Sequence, residues 1–142
     1  MKKLSIGVVI TNGTMFLAVH PTYSPTLDIP KGMIEAGETK MNTLIREVKE
    51  ETNIDLTKYK SMLVPMGLYP YSIEKNVYIY LLVLNDLPSI SDMKCTSTFH
   101  YKQTELPEID NYVYKKVGNF NNFKHPMRVI LQDVFSYLKN NK

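Results

Sequence analysis

The stretch Gly32-Met33-Ile34-Glu35-Ala36-Gly37-Glu38, followed after seven residues by Arg46-Glu47-Val48-Lys49-Glu50-Glu51-Thr52-Asn53-Ile54, decides the fold of this chain. Between and within its two halves the apolar residues Met41, Leu44, Ile45 and Val48 are spaced three, one and three apart, the stripe of an amphipathic helix. The spacing predicts a helix over Thr39 to Thr52, with Thr39 capping its start and Asn53 taking the left-handed conformation that ends it. At about 100° per residue, Glu47, Glu50 and Glu51 fall within an arc of roughly 100°, displaced by roughly 125° from the apolar stripe. Like charges three or four residues apart repel, and an isolated helix loses a few tenths of a kcal/mol per pair. A solvated face neutralised by Arg46 and Lys49 is the ordinary explanation of such a cluster. A hard divalent cation is the other, because Mg²⁺ takes carboxylates together with phosphate oxygens.

Outward from this helix, Leu4 to Ile10 and Met15 to His20 read as strands, and the Asn12-Gly13 pair between them is a hairpin signal. A loop rich in Pro, Thr and Ser runs from Pro21 to Thr26, and Leu27-Asp28-Ile29 is a short extended piece leading into Pro30-Lys31-Gly32. Further strands are predicted at Ser61 to Leu68, Asn76 to Leu84 and Tyr112 to Val117. Pro65 places the first of these at an edge or on a bulge. A closing helix from Pro126 to Leu138 carries Val129, Ile130, Val134, Tyr137 and Leu138 on one face, with proline in its first turn. Strands and two helices alternate irregularly, which fits a mixed α/β sandwich better than a doubly wound sheet.

The 142 residues fit one domain spanning 1–142, with 44% hydrophobic and 22% charged residues. A single cysteine, Cys95, excludes an internal disulfide and is expected to be a small buried hydrophobe, in keeping with a reducing cytoplasm. The net charge of +3 suits attraction of polyphosphates but not stable DNA binding. The start, Met1-Lys2-Lys3 and then Leu4 to Ile10, superficially resembles a leader, but its apolar run stops at Thr11 with no small-residue cleavage pattern behind it. No stretch approaches bilayer-spanning length, so a cytoplasmic protein with no membrane partner is expected, as a monomer or homodimer. His20, His100 and His125 show no metal-ligand spacing and are assigned no role.

The quoted stretch closely resembles the Nudix box, which runs Gly, five residues, Glu, seven residues, Arg-Glu, an aliphatic, any residue, Glu-Glu, any residue, Gly, an aliphatic. Gly32, Glu38, Arg46, Glu47, Val48, Glu50, Glu51 and Ile54 match in register, and Asn53 stands where the family has Gly. Asparagine is the next most tolerant residue at a left-handed position, so a small stability cost and no loss of activity are expected. The resemblance implies a Nudix-type α/β/α sandwich with a mixed central sheet, whose loop-helix-loop holds Mg²⁺, with Mn²⁺ as the alternative ion. It implies Glu47, Glu50 and Glu51 as metal ligands, helped by the main-chain carbonyl of Lys31. Gly32, Glu38 and Arg46 look structural, Arg46 bracing the acids and Glu38 closing the loop onto the helix. Glu108, just before an aromatic-bearing strand, resembles a later-loop ligand or general base. The lysine side chain of Lys31 is placed to contact phosphate. Such an enzyme cuts a diphosphate linkage.

The substrate is less strongly marked. Ile29-Pro30-Lys31-Gly32 and Pro107-Glu108-Ile109-Asp110-Asn111-Tyr112 resemble segments of diadenosine polyphosphate hydrolases and RNA 5′-pyrophosphohydrolases. Tyr71, 17 residues beyond the box, stands where the former tend to carry a tyrosine and is expected to contact substrate, whereas Pro70 resembles a mark of ADP-ribose enzymes. Tyr69, Tyr78, Tyr80, Tyr112 and Tyr114 are expected mainly to pack, and Lys115, Lys116, Lys124 and Arg128 form a basic cluster suited to a distal phosphate or RNA backbone. The leading reading is a pyrophosphohydrolase of dinucleoside polyphosphates or of the 5′-triphosphate end of RNA. ADP-ribose and (d)NTP hydrolysis are its rivals, and a non-catalytic nucleotide-binding sensor is the rival outside the enzyme class.

Overall fold

The computed structural model describes residues 2–141; Met1 and Lys142, which close the expected domain range and polar tail, lie outside the described residues. The strands are β1 (Lys3–Thr11), β2 (Met15–Pro21), β3 (Lys31–Met33), β4 (Val64–Ser72), β5 (Lys75–Val83), β6 (Thr98–Tyr101), β7 (Thr104–Pro107) and β8 (Ile109–Lys116), and the helices are α1 (Lys40–Thr52) and α2 (His125–Asn140). The main sheet runs β4-β5-β1-β2-β8, with β3 also paired to β1, while β6 and β7 form a separate two-stranded ribbon. β1 pairs β5 in parallel and β2 and β3 antiparallel, so the central sheet is mixed.

The period of two along β1 builds the sandwich. Ile6, Val8 and Ile10 pack on one face with Leu17, Tyr80, Leu82 and the α1 residues Leu44 and Val48. Val9 points the other way, into a cluster of Phe16, Ala18, Val77, Ile79 and Leu81 with Met127, Ile130, Leu131 and Val134 of α2. A strand covered on both faces reads as an unbroken apolar run, which is why Ile6 to Ile10 shows no polar alternation. Burying Leu44 and Val48 contributes roughly 2 kcal/mol each, which fixes the face that α1 turns away from the core. The hairpin between β1 and β2 forms as expected, with Gly13 at φ 96° and the Asn12 side chain accepting from Thr14 and Met15 N–H.

Several boundaries and environments differ from expectation. The segment before β4 is a 3-10 turn over Leu56–Met62, capped by Asp55, and the strand itself starts at Val64 and continues to Ser72 through both Pro65 and Pro70. β4 tolerates the prolines because it is an edge strand whose register slips at each of them. Leu27 and Asp28 are extended, as expected, and form isolated bridges to Phe123 and Val19, while the paired strand Lys31–Met33 follows them. Cys95 is half-buried, its thiol donating to the Ser97 carbonyl. The last strand begins at Ile109, three residues before the expected Tyr112, and the β6–β7 ribbon was not expected. Among the described residues, no helix is long and apolar enough to cross a membrane.

Candidate active site

The chemistry of α1 is set by how its two ends are tied. Thr39 adopts an extended conformation and its side chain accepts the Asn42 N–H, and Asn53 closes the helix at φ 67° with its N–H on the Lys49 carbonyl. In the last turn, the Glu50 carbonyl accepts the Thr96 N–H at 2.7 Å and the Glu51 carbonyl accepts the Tyr112 hydroxyl at 2.5 Å. The backbone that carries the glutamates is therefore anchored to β8 and to the loop before β6.

The four acids divide between two environments. Arg46 sits between Glu38, bonded through Nε and one terminal nitrogen at 2.7 and 2.8 Å, and Glu47 and Glu50, reached at 2.8 and 3.3 Å. The same guanidinium donates to the Met33 carbonyl, which ties the loop to the helix. Glu38 also accepts from the Glu35 N–H and the Thr43 hydroxyl, and with Arg46 as the main cause its carboxyl is held down at about 2. Glu51 lies on the other side, only 7% exposed, with one oxygen accepting the Lys31 N–H at 3.1 Å. Burial pushes its carboxyl up to about 8, against the partial relief of that N–H. Burial likewise raises Glu47, with Arg46 opposing it and Glu50 and Glu108 adding to it.

Glycine at position 32 is required by contact. A Cβ there would lie 1.9 Å from Glu47 Cδ, so the Glu47 side chain occupies the space that any other residue would need.

Glu47, Glu51, Glu108, Lys31 and Gly32 all line one cleft of about 490 Å³. Glu108 is exposed at its rim, just ahead of β8, and its side chain makes no hydrogen bond or ion pair among the described residues. Glu50 does not line the cleft but faces Arg46, and Tyr71 is also outside it. Tyr71 lies under the Lys31 ammonium at 5.4 Å and lines a separate shallow pocket with His125, Pro126 and Ile130. Of the expected basic cluster only Lys124 reaches the cleft. Among the described residues, no three His, Cys, Asp or Glu side chains already converge at metal-ligand spacing, because Arg46 draws Glu47 and Glu50 to itself.

Sequence reasoning missed Asp28, Lys75 and Ser5. Asp28 pairs with the Lys31 ammonium at 3.0 Å, and its charge keeps that lysine above its ordinary value although burial pulls the other way. Lys75, from the start of β5, lies in the same cleft, and burial with the nearby Lys31 charge lowers it to about 8. Ser5, in β1, lines the cleft fully buried, and its hydroxyl has no hydrogen-bond partner among the described residues. Only tertiary pairing brings these three together; in sequence they are an ordinary Asp, Lys and Ser. His20, given no role, pairs its Nδ1 with Asp110 at 2.5 Å and its Nε2 with the Ser24 carbonyl at 2.9 Å, bracing the loop beside the cleft.

A family model for the NUDIX domain matches residues 1–112, most of the chain. The chain belongs to the Nudix family. Its layers and mixed sheet are those of the Nudix sandwich. Solved structures agree on the fold. An Ap4A hydrolase binary complex from C. elegans is 23% identical with a TM-score of 0.70, covering 96% of this chain and 98% of that one. The Nudix domain of NrtR from Shewanella oneidensis, complexed with ADP ribose, is 10% identical with a TM-score of 0.71, over 97% and 89%. A bifunctional NMN adenylyltransferase/ADP ribose pyrophosphatase from Francisella tularensis, complexed with AMP and a Mn ion, is 17% identical with a TM-score of 0.71. There the match covers 95% of this chain but spans only 42% of the larger enzyme. No curated protein matches the chain.

Proposed function

We propose that this Nudix hydrolase cuts the diphosphate linkage of a dinucleoside polyphosphate or of a 5′-triphosphate RNA end, with Mg²⁺ or Mn²⁺ as its cofactor. One observation carries the reading: Glu47, Glu51 and Glu108 share a single cleft with Lys31, Lys75 and Lys124. Acids alone would suit a cation and lysines alone an anion, but a polyphosphate arriving with divalent ions needs both. Three lysines suit a chain of several phosphates better than the single diphosphate of ADP-ribose.

The donor set fits a hard cation. Glu51 is a buried carboxylate whose ionised form is only partly compensated by Lys31, and Glu47 lies over a glycine that leaves its oxygens room. Glu47 and Glu51, the Lys31 carbonyl and Glu108 would hold the ion, joined by Glu50, whose 3.3 and 3.4 Å contacts to Arg46 are the longest that guanidinium makes to the helix. The bound ion supplies charge neutralisation of the phosphates and a lowered pKa for water. Lys31, Lys75 and Lys124 bind the phosphate oxygens, and a bound anion would offset the burial that lowers Lys75. Glu108, whose side chain makes no hydrogen bond or ion pair among the described residues, takes the proton from the attacking water wherever it is not itself holding the ion. Glu38 and Arg46 do not touch substrate; they hold the loop on the helix.

A release assay with Mg²⁺ across diadenosine polyphosphates, triphosphorylated RNA, ADP-ribose and the (d)NTPs tests this. The expected result is metal-dependent turnover with preference for one of the first two, abolished by Glu51→Gln. Preference for ADP-ribose would overturn the substrate assignment, and silence across the panel with nucleotide binding intact would make the protein a sensor.

A further inference from the structure

The loop from Pro21 to Thr26 is unusually well fixed for a surface segment. His20 Nε2 meets the Ser24 carbonyl, the Thr22 N–H donates to the Glu108 carbonyl at 2.9 Å, and the Thr22 hydroxyl donates to the Pro107 carbonyl at 2.5 Å. The Ser24 hydroxyl donates to the Thr26 carbonyl and accepts the Thr26 N–H. At its tip this stitched loop presents Tyr23, a tyrosine at φ 67° and 67% exposed. Left-handed backbone is a place for Gly or Asn, and a large ring turned to solvent gains nothing from the core. Tyr101, at the end of β6, meets it from the other side, with ring centroids 5.0 Å apart and planes tilted by 59°. The Lys102 ammonium stands 5.3 Å from the Tyr101 ring.

This pair adjoins the cleft. Pro21 and Ser24, on either side of Tyr23, both line it, and the β6–β7 ribbon runs directly into Glu108. Two rings are far too small a surface for a protein partner. They match one flat aromatic ligand, held beside a phosphate-binding cleft with a cation close by.

We propose that Tyr23, buttressed by the tilted ring of Tyr101, is a stacking platform for a nucleobase of the substrate, the one attached to the end of the polyphosphate that leaves the cleft past Glu108. The site rests on the reading of the cleft as a polyphosphate site but uses none of its acids. Because the loop is already rigid, the base stacks without first ordering its partner.

Calorimetric titration of the full chain with diadenosine tetraphosphate, and separately with base-free tripolyphosphate, tests the platform, using Ca²⁺ in place of Mg²⁺ to hold turnover low. Tyr23→Ala should weaken the dinucleotide about tenfold, the scale of one stacked base, and leave tripolyphosphate unchanged. Tyr23→Phe should retain wild-type affinity, and Tyr101→Ala should fall between them. Melting curves of each variant check the fold. Unchanged dinucleotide affinity in Tyr23→Ala, or an equal loss for tripolyphosphate, would overturn the platform. Turnover in Mg²⁺ is read in parallel: absent hydrolysis with Tyr23-dependent binding intact sinks the hydrolytic reading alone, and normal hydrolysis with Tyr23→Ala silent sinks the platform alone.

Discussion

Glu51→Gln, studied in protein stripped of divalent ions by a chelator, measures what the cleft stores in one carboxylate. The folded protein holds the Glu51 proton up to about 8, whereas the unfolded chain releases it near the ordinary 4.5. Between these values the folded state binds the extra proton, so the stability that this group contributes is fully present below about pH 4.5 and is lost as pH rises through 8. At 1.36 kcal/mol per tenfold change in the equilibrium, the complete loss is roughly 5 kcal/mol, and about 3 kcal/mol of it has gone by neutral pH. Glutamine keeps an oxygen for the Lys31 N–H but brings an amide N–H₂ that must find an acceptor, which offsets part of the gain. For a chain of this length about 1 kcal/mol moves the melting temperature by about 3 °C, so the variant should melt roughly 5–10 °C above wild type at neutral pH.

The assay is a set of thermal melts followed by circular dichroism from about pH 5 to about pH 8, read as the difference between the two proteins. Other groups titrate in this window. His20 is raised chiefly by its hydrogen bond to Asp110, so its contribution also fades as pH rises, while Lys75, lowered by burial to about 8, adds stability only above that pH. Both occur in wild type and variant and cancel in the difference. The difference should grow steadily with pH, and Mg²⁺ or Mn²⁺ should raise the wild type most at the alkaline end while leaving the variant nearly unmoved. A difference curve flat with pH, or a glutamine variant less stable throughout, would refute the reasoning.

Gly32→Ala should be severe in a different way. The new Cβ meets Glu47 Cδ at 1.9 Å, so the carboxylate must move, with an overpacking cost of about 1–3 kcal/mol by denaturant melts. Turnover should fall about 100-fold because the displaced group is off by an ångström or more. Ser5→Ala should do the reverse for stability, since the hydroxyl is buried without a partner: denaturant melts should show a gain of about 1 kcal/mol. A loss of that size would mean the hydroxyl is satisfied in solution.

The helix that carries the acids was legible because each of its signals is local. A 3.6-residue stripe, a threonine cap and an asparagine terminator lie within one stretch of chain, and all three hold in the structure. The division of labour among the acids was not legible. Glu50 and Glu51 are sequence neighbours, yet one faces Arg46 and the other is sealed beneath Lys31, a difference made by β3 docking on the helix. The β6–β7 ribbon escaped for the opposite reason. Its residues are mostly exposed, and its turn places Lys102 and Gln103 at φ 49° and 67° rather than the Gly or Asn that would announce a hairpin. Pro65 and Pro70 similarly hid the extent of β4, since only the sheet order shows that its edge position forgives them.

Arg46 explains how such a cluster can exist before any cation arrives, and Glu38 explains how it can be released. The Glu38 pair is two short bonds, further held by the Glu35 N–H and the Thr43 hydroxyl, and its carboxyl stays ionised at any physiological pH. Glu47 and Glu50 share the one remaining terminal nitrogen, at 2.8 and 3.3 Å, and Glu50 has no other side-chain hydrogen bond among the described residues. If Glu47 and Glu50 were to hold a divalent ion, Arg46 would keep Glu38 as a full counter-charge and the Met33 carbonyl, and the loop would stay on the helix. Without Glu38 the same transfer would strand a half-buried guanidinium, and the ion would have to compete against it for each carboxylate. On this reading the distant glutamate of the motif sets the affinity for metal without ever touching it.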